Sequence, residues 1–142
     1  MQEQTHQLVV FKLGDEHYAL GIEQVHEIIR FAEPRSIASR QESVLGVISL
    51  RGKIVPVHDI ASRLGVASEP GEQAKIVIVA AGTETAGLVV DDVEEVLTIS
   101  DDQCEPVPGA DNPLIDSIAK LGDRLVIQLK LEAIFADQLA AV

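Results

Sequence analysis

Residues 44 to 65 read V-L-G-V-I-S-L-R-G-K-I-V-P-V-H-D-I-A-S-R-L-G, two runs rich in β-branched residues on either side of one Arg-Gly pair. Val44 to Leu50 and Lys53 to Ile60 have the composition of paired strands, and Gly52 can take the positive φ that a tight reversal requires. The pattern predicts a hairpin with Arg51 at its tip. A two-residue loop of the commonest type would force positive φ on Arg51 as well, so a type I turn with Gly52 in the left-handed bulge position is the expected geometry. With either turn the guanidinium projects away from the apolar strands, as a solvated tip residue or as an anchor for a partner. Beyond the hairpin, Asp59 followed by I-A-S-R-L and Gly65 fits the N-cap of a short helix closed by a left-handed glycine.

Working outward, the chain repeats itself when Gly14 is set on Gly82. The first copy runs V-V-F-K-L-G-D-E-H-Y-A-L-G-I-E-Q-V-H-E-I-I from Val9, the second V-I-V-A-A-G-T-E-T-A-G-L-V-V-D-D-V-E-E-V-L from Val77. Gly14/Gly82, Glu16/Glu84, Leu20/Leu88, Ile22/Val90, Val25/Val93, Glu27/Glu95 and Ile28/Val96 coincide. Each copy reads as a strand, a glycine turn and a second strand with alternating apolar residues, which is a β-hairpin. Ile22, Val25, Ile28 and Ile29, like Val90, Val93, Val96 and Leu97, then recur at helical spacing and predict one or two helical turns. More weakly, Lys53-Ile54-Val55 resembles Arg124-Leu125-Val126, and Asp59-Ile60 falls opposite Lys130-Leu131. The result is a mainly all-β chain of two small barrels or curled sheets, from about 8–65 and 75–135, with Val66 to Ala74 as the linker. The pattern is compatible both with strands kept within each half and with strands exchanged between them.

At 142 residues the chain suits one ordinary domain, and a half of it is near the lower limit for an independent core, so the halves are expected to pack together. Apolar content of 46% with only 3% aromatics means cores of Val, Ile, Leu and Ala, without the aromatic clusters that stack bases or sugars. A net charge of −12 repels phosphate backbones and anionic membranes, which argues against nucleic acid as a partner. No apolar run approaches the roughly 18 residues of a membrane span, and the start M-Q-E-Q-T-H-Q is not a signal peptide. A cytoplasmic protein with no direct membrane insertion is the expectation.

Enzyme signatures are missing, and no cofactor is implied. His6 falls in a predicted tail, His17 at a strand start, His26 on the polar face of the helical turn and His58 near a strand end, with no ligand spacing among them. Cys104 stands alone and reads as a space-filler beside the loop from Pro106 to Pro113. Asp91, Asp92, Glu94 and Glu95 could hold a hard cation, but their spacing fits the solvated face of a helical turn opposite Val90, Val93 and Val96, so no metal is expected.

Three stretches together resemble the CheW family of chemotaxis coupling proteins: Val25-x-Glu27-Ile28; Gly46-Val47-Ile48-x-Leu50-Arg51-Gly52-x-Ile54-Val55-Pro56-Val57-x-Asp59-Ile60; and Gly87-Leu88-Val89-Val90-Asp91-x-Val93. The likeness covers roughly residues 8 to 135. It implies two SH3-like five-stranded barrels around a shared apolar interface, and a non-enzymatic adaptor rather than a catalyst. It further implies two partners: the cytoplasmic tip of a methyl-accepting chemoreceptor and the regulatory domain of the histidine kinase CheA, met at receptor arrays on the inner face of the membrane. By the same resemblance Val25 and Glu27 lie near the groove for the receptor's helical hairpin, Gly46 supports that region, and Arg51, followed by Gly52, is tied to coupling. An apolar-floored groove with charges at its rim suits an amphipathic helix. The chain departs from the family in lacking a proline before Gly46, in Ser117 where glycine is common, and in Lys130 where aspartate is frequent. The alternatives are a CheW-like adaptor of another chemosensory pathway, such as one governing twitching motility, and a small metal-dependent enzyme or ligand-binding barrel using the acidic cluster.

Overall fold

The computed structural model describes residues 4–37, 44–68, 70–107 and 111–140. Among them the strands are β1 (Thr5–Leu13), β2 (Glu16–Gly21), β3 (Val25–Arg30), β4 (Val44–Leu50), β5 (Lys53–His58), β6 (Lys75–Ala81), β7 (Glu84–Val90), β8 (Asp92–Ser100), β9 (Cys104–Glu105), β10 (Ile115–Leu121) and β11 (Arg124–Leu129). Two helices, α1 (Ile60–Leu64) and α2 (Leu131–Ala140), complete the framework. The protein is mainly β, as its alternating runs require. Two sheets form, one of six strands in the order β8-β1-β2-β11-β10-β9 and one of five in the order β3-β6-β7-β5-β4. The sixth strand is the two-residue β9 on β10; among the described residues the corresponding place beside β4 holds the single bridge Arg35↔Val47.

The duplication is visible in the register. Val9 stands opposite Val96 and Val10 opposite Glu95, while their counterparts Val77 and Ile78 stand opposite Ile28 and Glu27. Parallel pairing also repeats, β11 on β2 and β5 on β7. The sheets, however, do not follow the halves 8–65 and 75–135. The five-stranded sheet is continuous from β3 to β7, whereas the six-stranded sheet combines β1–β2 with β8–β11. Each half thus supplies strands to both sheets, and the stretch Val66 to Ala74 joins elements of one sheet instead of linking two barrels. The chain passes between sheets at Gly21–Ile22 and at Asp91.

Strands with two apolar faces explain the packing. One face of the five-stranded sheet gathers Ile48, Val55, Val57, Ile76, Ile78 and Val89, and one face of the six-stranded sheet gathers Leu8, Val10, Ala19, Ile99, Ala119 and Val126. Their opposite faces meet in a shared core that includes Phe11, Tyr18, Leu20, Val77, Val79 and Leu88, with α1 and α2 adding Ile60, Leu131 and Ile134. Phe11 and Tyr18, opposite one another across β1 and β2, stack with ring centroids 6.4 Å apart.

The helical turns expected after each hairpin are a correction. Of the two segments expected to be helical, the first opens with a 3-10 turn at Ile22–Gln24 and the second with none, and both continue as the strands β3 and β8. Each strand carries a β-bulge, with the register jumping between Val25 and Glu27 on β3 and between Val93 and Glu95 on β8. One extra residue shifts the two-residue alternation by one, so apolar residues fall three and four apart as on a helix. The acidic cluster is accordingly not a helical face. His6 likewise lies in β1, beside Asp101, and not in a tail. The short helix after Asp59 does form: the Ser62 amide donates to Asp59 Oδ1 at 3.3 Å, and Gly65 closes α1 at φ 71°. Cys104 sits in β9, where Gln128 Nε2 donates to its Sγ at 3.1 Å.

Candidate partner-docking site

Val44 to Leu50 and Lys53 to His58 pair antiparallel, and Leu50 stands opposite Lys53, leaving Arg51 and Gly52 alone in the loop. Both have positive φ, 50° and 81°, the signature of a type I′ turn. The expected type I turn with a bulge is therefore corrected. That turn needs a three-residue loop, whereas the inward set Ile48, Val55 and Val57 pins a register with room for two. The hairpins at Gly14, Gly82 and Gly122 put glycine at the first loop position, with φ of 60°, 62° and 66°. Arg51 occupies the same place with a side chain, and among the described residues it is the non-glycine residue with positive φ. Backbone strain of this kind collects at functional positions.

The side chain of Arg51 reaches across the mouth of the five-stranded sheet to its far edge strand, β3. There Nη2 donates to Glu27 Oε1 at 2.7 Å and Nη1 donates to Oε2, a two-point carboxylate–guanidinium clasp. His26 Nε2 lies 3.9 Å from Glu27 Oε2. The guanidinium's hydrogen bonds, more than its charge at a distance, hold the Glu27 carboxyl below its ordinary pKa, against a smaller opposing effect of desolvation. The same bonds raise the pKa of Arg51. Arg51 stays largely open to solvent, with 68% of its side chain exposed against 21% for Glu27, so the clasp leaves it accessible to a second acceptor.

Behind the clasp is a cleft of about 290 Å³ with Leu50, Val55 and Ile78 as its floor and His26, Arg51 and Lys53 among its polar walls. Its volume is at the lower edge of small-molecule pockets and suits a few inserted side chains. Glu27, Arg51 and Gly52 thus come together at one end of the sheet. Val25 is one bulge away on β3 but turns inward against the shared core. Gly46 lies five residues down β4, roughly 16 Å along the strand. A Cβ at Gly46 would meet the Arg35 carbonyl oxygen at 2.1 Å, and the Arg35 N–H donates to the Val47 carbonyl at 2.8 Å. Gly46 admits a crossing backbone segment and does not share the cleft.

An apolar-floored groove is expected from the resemblance, but nothing local in the sequence marks His26, Leu50, Lys53, Val55 and Ile78 as the lining of one cleft. His26 is expected on a helical turn, and no unbroken alternation marks it as a strand residue, because the bulge sets Val25 on the face of Ile28 and Glu27 on the face of Ile29. Of the acidic cluster, Asp91 accepts from the Gly14 amide at 2.8 Å and from the Ser68 hydroxyl, while Glu94 and Glu95 both pair with Arg124. Among the described residues no group of three or more His, Cys, Asp or Glu is placed to hold a metal ion.

A family model described as the CheW-like domain matches residues 7–139. The chemotaxis protein CheW of Rhizobium meliloti is 30% identical over 137 residues, covering 93% of this chain and 88% of that protein. The chemotaxis protein CheW of Helicobacter pylori is 30% identical over 136 residues, covering 93% and 82%. Among solved structures, the scaffolding protein TtCheW from Thermoanaerobacter tengcongensis is similar with a TM-score of 0.84 and 36% identity, covering 92% of this chain and 87% of that one. Two sheets with a shared core, the clasped hairpin and a match along nearly the full length agree: the chain belongs to the CheW-like domain family, whose relatives named here are chemotaxis and scaffolding proteins and not enzymes.

Proposed function

We propose that the protein is an adaptor of bacterial chemotaxis that joins the cytoplasmic tip of a methyl-accepting receptor to the regulatory domain of the histidine kinase CheA, working in the cytoplasm at receptor arrays. The observation that carries this reading is the Glu27–Arg51 clasp over an apolar-floored cleft, built on a strained turn where the repeat elsewhere uses glycine. An amphipathic helix could bury one or two apolar side chains in the cleft while an acidic residue shares Arg51 with Glu27. Among the described residues no helix is long and apolar enough to cross a membrane, in keeping with a protein brought to the array by its partners.

Arg51→Gly separates the turn from the clasp, because glycine relieves the positive φ while removing the guanidinium. Its melting temperature should equal or exceed that of the parent, and its affinity for a receptor signalling-tip fragment or for the kinase regulatory domain should fall roughly tenfold or more. Glu27→Lys should weaken receptor binding with little change in melting. The charge-swapped pair Glu27→Arg with Arg51→Glu rebuilds the clasp in reverse and should not restore affinity. Parent-like affinity of Arg51→Gly for both partners, or full recovery in the swapped pair, would show that the clasp serves only the fold.

A further inference from the structure

The six-stranded sheet holds a cavity of about 490 Å³ at the end away from the β10–β11 turn, where β1 and β10 begin and β2 and β11 finish. Residues of these four strands and of β9 line it, so a ligand there is enclosed on several sides, and the volume is that of a small-molecule site. The floor is apolar, formed by the buried side chains of Leu8, Ala19 and Leu129. Charges of both signs stand on the walls. Glu23 folds back over Gly21 so closely that a Cβ on Gly21 would overlap its carboxylate, and Lys130 borders the cavity just beyond the end of β11. Among the described residues neither Glu23 nor Lys130 makes an ion pair, and the half-buried Ser117 makes no hydrogen bond through its hydroxyl.

Lys130 breaks a local rule that its own repeat obeys. It stands immediately before α2 as its counterpart Asp59 stands before α1, and Asp59 caps that helix by accepting from the Ser62 amide. A lysine side chain accepts nothing, so the cap is forfeited, and a cation is set at the positive end of the helix dipole. Departures of this kind are expected where a residue serves function rather than fold. We propose that the cavity binds a small zwitterion with an aliphatic body, an amino acid, whose carboxylate meets Lys130 and the Ser117 hydroxyl, whose ammonium meets Glu23, and whose methylene groups lie on Leu8, Ala19 and Leu129. A simple anion is repelled by Glu23 and by Asp116 and Glu132 on the same rim, and a simple cation leaves Lys130 unanswered; only a ligand carrying both charges satisfies both walls. The site is separate from the Glu27–Arg51 clasp and does not rest on the identity of the partner there.

L-leucine and 5-aminopentanoate, which differ in the spacing of their charges, are titrated into the 15N-labelled full chain beside pentylamine and pentanoate, which carry one charge each. At least one of the two zwitterions should shift the amides of residues 21–24, 117 and 128–132 saturably, and both single-charge probes should bind there at least tenfold more weakly. Lys130→Asp restores a cap to α2, so its melting temperature should rise while affinity for the zwitterion falls roughly tenfold. Glu23→Gln should lower the affinity severalfold with the melting temperature unchanged. The proposal is overturned if neither zwitterion gives a saturable shift at these residues, or if pentylamine binds equally well, which would mark a general attraction of cations to an acidic chain. Parent-like affinity in both variants, or a Lys130→Asp chain that melts no higher than the parent, would overturn it as well.

Discussion

At Arg51 backbone and side chain make opposite demands: the turn calls for glycine, the clasp for a guanidinium, and the side chain is kept. The tip position of Arg51 and the turn role of Gly52 were legible in the sequence, because β-branched runs on either side of Arg-Gly leave little else. The turn type and the partner of Arg51 were not, since Glu27 lies 24 residues away and was placed on a helix by a bulge. Because hydrogen bonds from Arg51 depress the Glu27 pKa, the clasp is complete above the ordinary carboxylate range and is lost only as pH falls through the lowered value. Carboxyl carbon shifts followed through an acid titration should show Glu27 titrating below its ordinary value, and Arg51→Ala should return it upward; no movement would deny the clasp in solution. The two glycines of the same hairpin should respond differently. Gly52→Ala meets open space but at φ 81°, costing about 1 kcal/mol, whereas Gly46→Ala drives Cβ into the Arg35 carbonyl and should cost about 2 to 3 kcal/mol by denaturant unfolding.

Among the elements, hairpins were the most readable and the segments after them the least. Alternation in Tyr18, Leu20 and the runs from Val9 and Val77 gave strands directly, and Asp59 with Gly65 marked α1 through capping chemistry that depends on adjacent residues alone. The bulges of β3 and β8 defeated the same reasoning, because a single inserted residue makes a strand's apolar positions coincide with those of a helix. Asp91 is the element-scale residue whose role appears only in three dimensions. At the passage from β7 to β8 its backbone N–H donates to the Lys12 carbonyl at 2.9 Å, and its carboxylate accepts from Gly14 and Ser68. It therefore ties together the β1–β2 turn, the stretch after α1 and the crossing itself. Asp91→Ala should destabilise by about 1 to 3 kcal/mol, with faster hydrogen exchange at the Gly14 amide. A parent-like exchange rate there would show that the crossing is held by other contacts.

Across the whole molecule, the duplication and the two-sheet plan could be read from the sequence, but which strands join which sheet could not. Residues 7–10 are compatible with pairing to either β8 or β3, since both are bulged and of similar composition. The allocation is decided by tertiary contacts that no local pattern encodes. Because each half supplies strands to both sheets and both feed one shared core, the protein should unfold in a single calorimetric transition. Separate chains of residues 1–68 and 70–142 should each be unfolded alone and regain structure when mixed; two independent melting transitions would contradict this. The five-stranded sheet is entered at Gly21–Ile22 and left at Asp91, so it is an insertion held at both ends and not a bead on a string. A single tether would act as a swivel; two tethers seated on a common core remove the rotation. Partners seated at opposite ends would then be held at a fixed distance and a fixed angle, and a twist applied by one would be delivered to the other as torque.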